Sequence, residues 1–380
     1  MDHLLTEQQL EVKKVIREFA EAEIRPTVAH RDDKSEYPAA IAKKIGELGF
    51  MGVNTPESLG GAGMDTVTYA IVIEELSRVD PAVGVIVSVN NSLVCYPLQK
   101  FGTPDQHARF LKPLAEGQRL GAFCLTEPGA GSDASGLTMS AVKDGNDYIL
   151  TGEKAFITNG LMADTYIVMA RTDKAQKAKG ISAFIVEGDA PGFRRGANEK
   201  KMGIRSSDCC MIILDECRVP AANLIGKEGD GFKVAMTALD SGRIGIAAQA
   251  IGLAQGALEE AVKYSKIREQ FGHPIADFQA IQFKLADMEM LTEAARLLNF
   301  SAARKKDMGL KFTHEAAMAK LYASDIVMKV TMEAVQVHGG NGFLKDFPVE
   351  RMLRDAKVTE IYEGTSEIQR TIIARTLLSN

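Results

Sequence analysis

The sequence predicts a multi-domain α+β protein with an N-terminal α-helical domain, a middle antiparallel β domain and a C-terminal four-helix bundle. Helical periodicity fills the first third, short β-rich runs begin near residue 118, and long helical patterns return after about residue 228. A chain of 380 residues is long enough for two or three domains with sizeable cores. We predict domains spanning residues 1–117, 118–227 and 228–380.

The N-terminal third begins with Thr6 and Gln9, three residues apart, which predicts a capping box. One apolar face then follows the helical spacing, formed by Val12, Val15, Ile16 and Phe19. Further helical patterns cover residues 39–48, 66–78, 83–101 and 105–114. The glycine-rich segment 56–64 follows no clear strand and lacks the spacing of a phosphate loop, so we interpret it as a connector.

The middle of the chain shows short β-rich runs separated by turn signals at residues 143–146 and 159–160. The runs cover residues 122–125, 148–151, 155–158, 166–170, 181–186 and 211–214. Strands at close spacing without intervening helices predict an antiparallel sheet or barrel rather than a βαβ unit.

The last part of the chain returns to long helices, with short links between them. Their patterns cover residues 232–264, 278–308, 313–338, 348–353 and 367–378. This arrangement predicts a helical bundle, and the glycines of the first segment indicate close helix contacts. We find no tandem repeat of constant period.

Composition favours an ordinary globular protein of a reducing compartment. The net charge is −5 without a basic block, which argues mildly against nucleic-acid or anionic-membrane surfaces. Five cysteines form no even framework, and neither C-x-x-C nor H-E-x-x-H occurs, so we expect neither disulfides nor a metal site. No secretory signal is apparent, and we expect no apolar run of about 18 residues. We therefore expect a cytoplasmic protein, or one of a matrix-like compartment.

The most informative motif is the segment 361–370, which places the carboxylate of Glu363 between apolar neighbours and a Gly-Thr turn. Desolvation would raise the pKa of this carboxyl and make it a better proton acceptor near neutral pH. The alternative is a plain helix start, because Thr365 and Ser366 are good N-cap residues and Glu367 suits the helix dipole.

Three further motifs have both a functional and a structural interpretation. Residues 124–133 contain two glycines whose neighbouring N–H groups could meet phosphate, or they form a simple Gly-Pro turn. Residues 268–279 offer an arginine for phosphate and a phenylalanine for a ring, or an exposed helix end. Residues 336–343 form either a backbone cradle or a helix C-cap, and His338 is more typical of a structural histidine.

Together these segments resemble the acyl-CoA dehydrogenase family over the whole chain. Residues 125–133 resemble its first signature, and residues 336–355 resemble its second, with Gly339, Gly340, Gly342 and Asp346 at matching positions. Both signatures and the segment around Glu363 occur in the order and spacing of the family. The resemblance implies an α domain, a β domain and a C-terminal four-helix bundle.

The resemblance also implies that FAD binds between the β domain and the bundle, with a neighbouring subunit closing the site. The positions that would contact the flavin and its diphosphate within one chain are Phe123, Leu125, Thr126, Ser132, Phe156, Thr158, Thr365 and Glu367. Those that would reach the FAD of a partner subunit are Arg268, Phe271, Gln279, Gln336, Gly339 and Gly340. Many family members carry tryptophan where this chain has Phe156, and the chain has no tryptophan.

By the same resemblance, Glu363 matches the catalytic base, and acyl-CoA contacts fall on Ser132, Asp240, Arg243 and Gly364. Some family members carry the base on an earlier helix, where this chain has Gly242. The implied reaction is α,β-dehydrogenation of an acyl-CoA to the trans-2-enoyl-CoA. Electrons would pass to an electron-transfer flavoprotein, and the protein would be a homotetramer.

For the substrate, residues 88–93 resemble short-chain members, and a butyryl thioester is the first choice. Glutaryl-type members usually have an arginine shortly before this segment, where this chain has residues 83–86 without one. Three alternatives stay open. They are a cyclic or aryl-substituted acyl-CoA handled in either direction, an acyl-CoA oxidase, and a flavin-free CoA-binding scaffold.

Overall fold

The computed structural model describes residues 2–379. Its N-terminal region is helical, as predicted, and the helices are α1 (Glu7–Phe19), α2 (Val28–Lys34), α3 (Ala39–Glu47), α4 (Thr66–Val79), α5 (Pro81–Ser88), α6 (Tyr96–Phe101), α7 (Pro104–Gln106) and α8 (Lys112–Ala115). The capping box is confirmed, because the Thr6 hydroxyl accepts from the Gln9 N–H and the Gln9 side chain accepts from the Thr6 N–H. The segment 56–64 is a connector with one short 3₁₀ turn, Glu57–Leu59.

Helices α5 and α6 form one continuous helical segment, Pro81–Phe101, joined by the π-helical turn Val89–Cys95. By length and composition this segment could cross a membrane, so the expectation that no run reaches that length was wrong. However, 94% of its apolar window is buried inside the protein, as in a core helix. Asn90 and Asn91 of the π turn donate to backbone carbonyls of Met51 and Phe50, which holds the segment against the preceding loop.

The middle region forms an eight-stranded sheet in the order β6-β7-β3-β2-β4-β5-β8, with β1 also paired to β4. Its strands are β1 (Gly121–Cys124), β2 (Ser140–Asp144), β3 (Asp147–Thr158), β4 (Thr165–Arg171), β5 (Ile181–Glu187), β6 (Phe193–Arg195), β7 (Cys209–Pro220) and β8 (Leu224–Ile225). Most pairs are antiparallel, but β4 pairs in parallel with β1 and with β2. The runs 148–151 and 155–158 are parts of the single strand β3.

The C-terminal region is a bundle built on α9 (Gly231–Ile267), α10 (Gln279–Asp307) and α11 (Thr313–His338), followed by α12 (Val349–Ala356) and α13 (Ser366–Leu378). The short hairpin β9 (Glu269–Gln270) and β10 (His273–Pro274) joins α9 to α10. A Cβ on Gly252 or Gly256 would lie 2.1 or 2.2 Å from a backbone oxygen of α4. Glycine is therefore needed where α9 and α4 cross, as the sequence indicated.

Two buried hydrophobic clusters meet along α9. The first joins α9 to α4, α10 and α11. The second joins α9 to the segment Pro81–Phe101 and to the sheet, through Leu93, Phe123, Leu125 and Ile246. Because Tyr362 packs against this second cluster, the turn that precedes α13 lies where the three regions meet.

Candidate active site

The turn between the 3₁₀ segment Lys357–Glu360 and α13 carries Glu363. Both Glu363 and Gly364 have positive φ angles, 51° and 96°, so the backbone turns sharply at this point. Such a conformation costs about 1 kcal/mol or more for a residue with a side chain, and it persists only where the surroundings impose it. Thr365 caps α13 by accepting from the Ile368 N–H, so the helix-start interpretation is correct for Thr365 but does not explain Glu363.

The Glu363 carboxylate is shielded from solvent although the residue as a whole is only half-buried. Neither of its oxygens has a hydrogen-bond partner among the described residues. Burial raises the pKa of this carboxyl to about 8, against the opposing effect of the positive charges of Lys320 and Arg243. A buried acceptor without a donor is rare in a folded protein and indicates a functional group.

Gly242 on α9 makes the space that the Glu363 carboxylate occupies. A Cβ at position 242 would lie 1.9 Å from Glu363 Oε2 and 2.9 Å from Leu93 Cδ2. The two positions therefore compete for one volume, and this chain fills it from the C-terminal turn. Leu93 brings the segment predicted to resemble short-chain members into contact with the same space.

Asp240 and Arg243 form an ion pair on the α9 turn that contains Gly242. Asp240 also accepts from the Thr313 hydroxyl at 2.6 Å, and the Arg243 side chain is buried. Burial lowers the pKa of Arg243, while Asp240 and Glu363 oppose that effect. Two of the predicted substrate contacts thus lie on the α9 turn beside Glu363, and Gly364 directly follows Glu363, whereas Ser132 lies exposed on the loop after β1.

Tyr362 fixes the same turn from the other side. Its hydroxyl donates to the Gln249 side chain, and Gln249 Nε2 in turn donates to the Pro81 carbonyl at 2.7 Å. This chain of hydrogen bonds ties the turn to α9 and to the start of α5. No role could be predicted for Tyr362 or Gln249 from the sequence, because their contact spans 113 residues.

The first signature forms a tight turn held by a buried ion pair. Glu127 and Ala130 exchange backbone hydrogen bonds, as expected of the Gly-Pro turn interpretation. The Glu127 carboxylate also binds Lys154 Nζ at 2.8 Å and accepts from the Thr138 and Met139 N–H groups. Lys154 is fully buried and donates to the Leu125 carbonyl at 3.1 Å, so this pair shapes the loop between β1 and β2. Lys154 was not among the residues predicted to belong to the site.

The predicted flavin contacts of this region lie along neighbouring strands. Phe123 and Leu125 are buried, and the carbonyl of Thr126, which is half-buried, accepts from the Ala155 N–H at 2.8 Å. Phe156 on β3 is 69% exposed with φ 58°, which leaves an aromatic ring on an open surface. Thr158 is half-buried at the end of the same strand.

A second group of predicted residues lies at the opposite end of the bundle. All six are exposed, namely Arg268, Phe271, Gln279, Gln336, Gly339 and Gly340. Phe271 is 93% exposed at the tip of the β9–β10 hairpin. An α-helix rises about 1.5 Å per residue, so Gly242 and the end of α9 at Ile267 lie roughly 37 Å apart. The structure therefore separates the predicted residues into two groups.

His338 supports the second group structurally. Its ring stacks on Tyr264 at 4.2 Å and its Nδ1 meets the Ala334 carbonyl at 2.8 Å. Asn341 donates to the Tyr264 hydroxyl, which ties the glycine turn after α11 to the end of α9. The structural interpretation of His338 fits these contacts. Tyr264 and Asn341 were missed, and no sequence signal pairs them.

Comparison with known proteins covers almost the whole chain. Residues 6–118, 122–217 and 229–378 match the N-terminal, middle and C-terminal domains of acyl-CoA dehydrogenases. The short-chain specific acyl-CoA dehydrogenase of Megasphaera elsdenii is 49% identical over 382 residues, with all of both chains covered.

Two solved structures have the same fold. The butyryl-CoA dehydrogenase of Megasphaera elsdenii superimposes with a TM-score of 0.97 at 48% identity, covering 98% of this chain and 99% of that one. A chain in the structure of the electron transferring flavoprotein of Acidaminococcus fermentans, studied for flavin-based electron bifurcation, gives 0.99 at 51% identity and covers 100% of both chains. The predicted three-region fold is confirmed, and the chain belongs to the acyl-CoA dehydrogenase family.

Proposed function

We propose that the protein catalyses the FAD-dependent α,β-dehydrogenation of a short-chain acyl-CoA thioester to the trans-2-enoyl-CoA. The observation that carries this proposal is the Glu363 carboxylate. It is shielded from solvent, no described residue donates a hydrogen bond to it, and burial raises its pKa. A general base for a weakly acidic C–H proton needs this combination of basicity and free lone pairs.

The residues present fit a flavin dinucleotide. The rings of Phe156 and Phe271 are 69% and 93% exposed, so each offers a flat apolar face against which a ring of the dinucleotide could lie. A Cβ placed on Gly129, Gly131 or Gly340 would meet no other atom within 4 Å, so a ligand could approach their backbone closely. Arg268 supplies the planar cation that a diphosphate favours.

The separation of the two groups supports assembly of the site from two copies. Phe156 belongs to the sheet, whereas Phe271 lies at the far end of the bundle, beyond α9. We infer that a dinucleotide that contacts both groups binds between two copies of the chain. We therefore expect a homo-oligomer, and a tetramer built from two dimers is the proposed form.

In the proposed reaction, Glu363 removes the α-proton and holds it on a carboxylate oxygen. The β-hydrogen leaves as hydride, so that the two C–H electron pairs yield one C=C bond and a two-electron reduction. Bound FAD supplies the acceptor for that hydride. The turn at Glu363 and Gly364 orients the base, and the contacts of Leu93 and Tyr362 with the second core cluster exclude water from it.

A short acyl group is supported by the relatives named above and by the side chains around the pocket. Leu93 touches the space beside Gly242. A leucine at this position leaves less depth than glycine or alanine would. Butyryl-CoA is therefore the proposed first substrate.

The electron acceptor is proposed to be an electron-transfer flavoprotein. The chain in the Acidaminococcus fermentans structure supports this assignment.

We also propose a cytoplasmic or matrix-like location, supported by five free and buried cysteines. The proposed domain limits at residues 117/118 and 227/228 fall between α8 and β1 and between β8 and α9.

Anaerobic titration of the purified protein with a panel of acyl-CoA esters tests the proposal. We expect a yellow flavin spectrum that butyryl-CoA bleaches faster than octanoyl-, glutaryl- or phenylpropionyl-CoA. Re-oxidation by an electron-transfer flavoprotein should be fast, and peroxide formation in air should be slow. Rapid peroxide formation would favour an oxidase, and a colourless protein that binds CoA would favour a scaffold.

A further inference from the structure

Lys320 on α11 is a buried cation that the reaction described above does not use. Its side chain is fully buried, and Nζ donates to the Gly364 carbonyl at 2.7 Å. Gln369 Nε2 donates to the same carbonyl at 2.9 Å and to the Glu363 carbonyl at 3.3 Å. Two side chains from different helices therefore hold the Gly364 carbonyl, in the turn that carries Glu363.

Charged groups from several packed elements surround this turn. Lys320 comes from α11, Arg243 from α9, Glu360 from the preceding 3₁₀ turn and Glu367 from the first turn of α13, while Asp325 lies one turn further along α11. Burial raises the pKa of the Tyr362 and Tyr69 phenols, and the negative charge of Glu363 raises both further. Since Arg243 is already paired with Asp240, Lys320 is the cation least committed to another carboxylate.

We propose that Lys320 is a positioning residue for Glu363, whose ammonium holds the turn carrying the base and whose positive charge favours the ionised carboxylate. This inference rests on the proposed function. Burial disfavours both charges, lowering the pKa of Lys320 and raising that of Glu363, and each charge partly offsets the penalty of the other. Removing the cation leaves the carboxylate buried without that compensation.

Two substitutions separate charge from hydrogen bonding. K320M removes the charge and the donor, whereas Q369M removes a donor to the same carbonyl and leaves the charges unchanged. K320Q is neutral but polar, and it replaces K320M in both measurements if K320M does not fold. K329M is the matched control, because Lys329 is exposed on the same helix.

The first measurement is the pH dependence of anaerobic flavin reduction by butyryl-CoA. The second does not depend on turnover. It is the pH titration of the protonated-carboxyl infrared band that is absent from E363Q, recorded on substrate-free protein. In K320M we expect both midpoints to rise by about one pH unit or more, because a nearby opposite charge lowers a carboxyl pKa by about 1–3 units.

Q369M should slow reduction without moving the midpoint, and K329M should match the wild type in both measurements. Unchanged midpoints in K320M and K320Q would overturn the proposal for Lys320. If E363Q itself reduced its flavin at the wild-type rate, the proposed function would fail instead, so the two failures are distinguishable.

Discussion

The two ends of the C-terminal bundle present opposite environments to ligands. At one end the Glu363 carboxylate is buried beside Gly242 and Leu93, and hydrogen bonds from Lys320 and Gln369 hold its turn. At the other end Arg268 and Phe271 project into open space on a short hairpin. The enclosed end holds the base that we propose for proton transfer, and the contacts described for it come from one chain. The other end is exposed, and we propose that it binds FAD together with a second copy of the chain.

Among substitutions that keep the Glu363 side chain, Gly242→Ala should produce the largest change at the enclosed end. The new methyl group overlaps Glu363 Oε2, and the flexible carboxylate must move away. A misplacement of about 1 Å can cost roughly 10²-fold in rate. Stopped-flow flavin reduction should therefore slow by about that factor, while FAD content and melting temperature stay close to those of the wild type.

Gly256→Ala is the matched control on the same helix. Its Cβ would meet the Arg78 backbone oxygen, which cannot rotate away, so this variant should lose stability rather than the orientation of the base. If Gly242→Ala lowered the melting temperature as much as Gly256→Ala, the glycine at position 242 would serve helix packing and not the orientation of Glu363.

Arg268→Ala should act at the open end and leave the chemical step intact. Hydrogen bonds to charged groups contribute about 1.5–3 kcal/mol, so FAD affinity should fall by roughly 10- to 100-fold. Dialysis followed by absorbance measurement reports the retained flavin, and saturating FAD should restore the rate of reduction. Arg109→Ala removes an exposed arginine of the N-terminal region and should retain FAD. Equal retention in both variants would remove Arg268 from the cofactor surface.

The pH dependence of flavin reduction gives the smallest of the expected effects and distinguishes the two ends by their response to pH. Glu363 acts only when ionised, and its pKa is raised to about 8 by burial. The apparent second-order rate constant for flavin reduction should rise about tenfold per pH unit well below pH 8 and level off above it. FAD binding at the open end should show no matching midpoint. A rate constant that is independent of pH from 5 to 9 would contradict a base with this environment.

Much of the fold could be predicted because local patterns and distant contacts agree. The Thr6–Gln9 capping box, the 143–146 turn and the limits of α11 all follow from residues close in sequence. The parallel pairing of β1 with β4 could not be predicted, because the two strands are far apart in sequence and meet only through the sheet. The short strands β6 and β8 carry too few residues for an alternation to show.

Site residues could be predicted where they belong to a recognisable motif. They could not be predicted where only tertiary packing brings them to the site. Glu363 stands in a recognisable segment, but Lys320 lies in an alanine-rich helix where a lysine normally indicates the solvent face. Lys154 likewise occupies a strand position that the sequence does not distinguish from its exposed neighbour Glu153. Both lysines are buried because a specific carbonyl or carboxylate from elsewhere in the chain meets them.

The central claim is that Glu363 removes the proton, and single-turnover flavin reduction by butyryl-CoA in the Glu363→Gln variant tests it most directly. General base catalysis is worth about 10²–10⁴-fold, so the rate constant should fall at least that far while the variant keeps its yellow colour and binds acyl-CoA. A variant that bleaches as fast as the wild type would contradict the account.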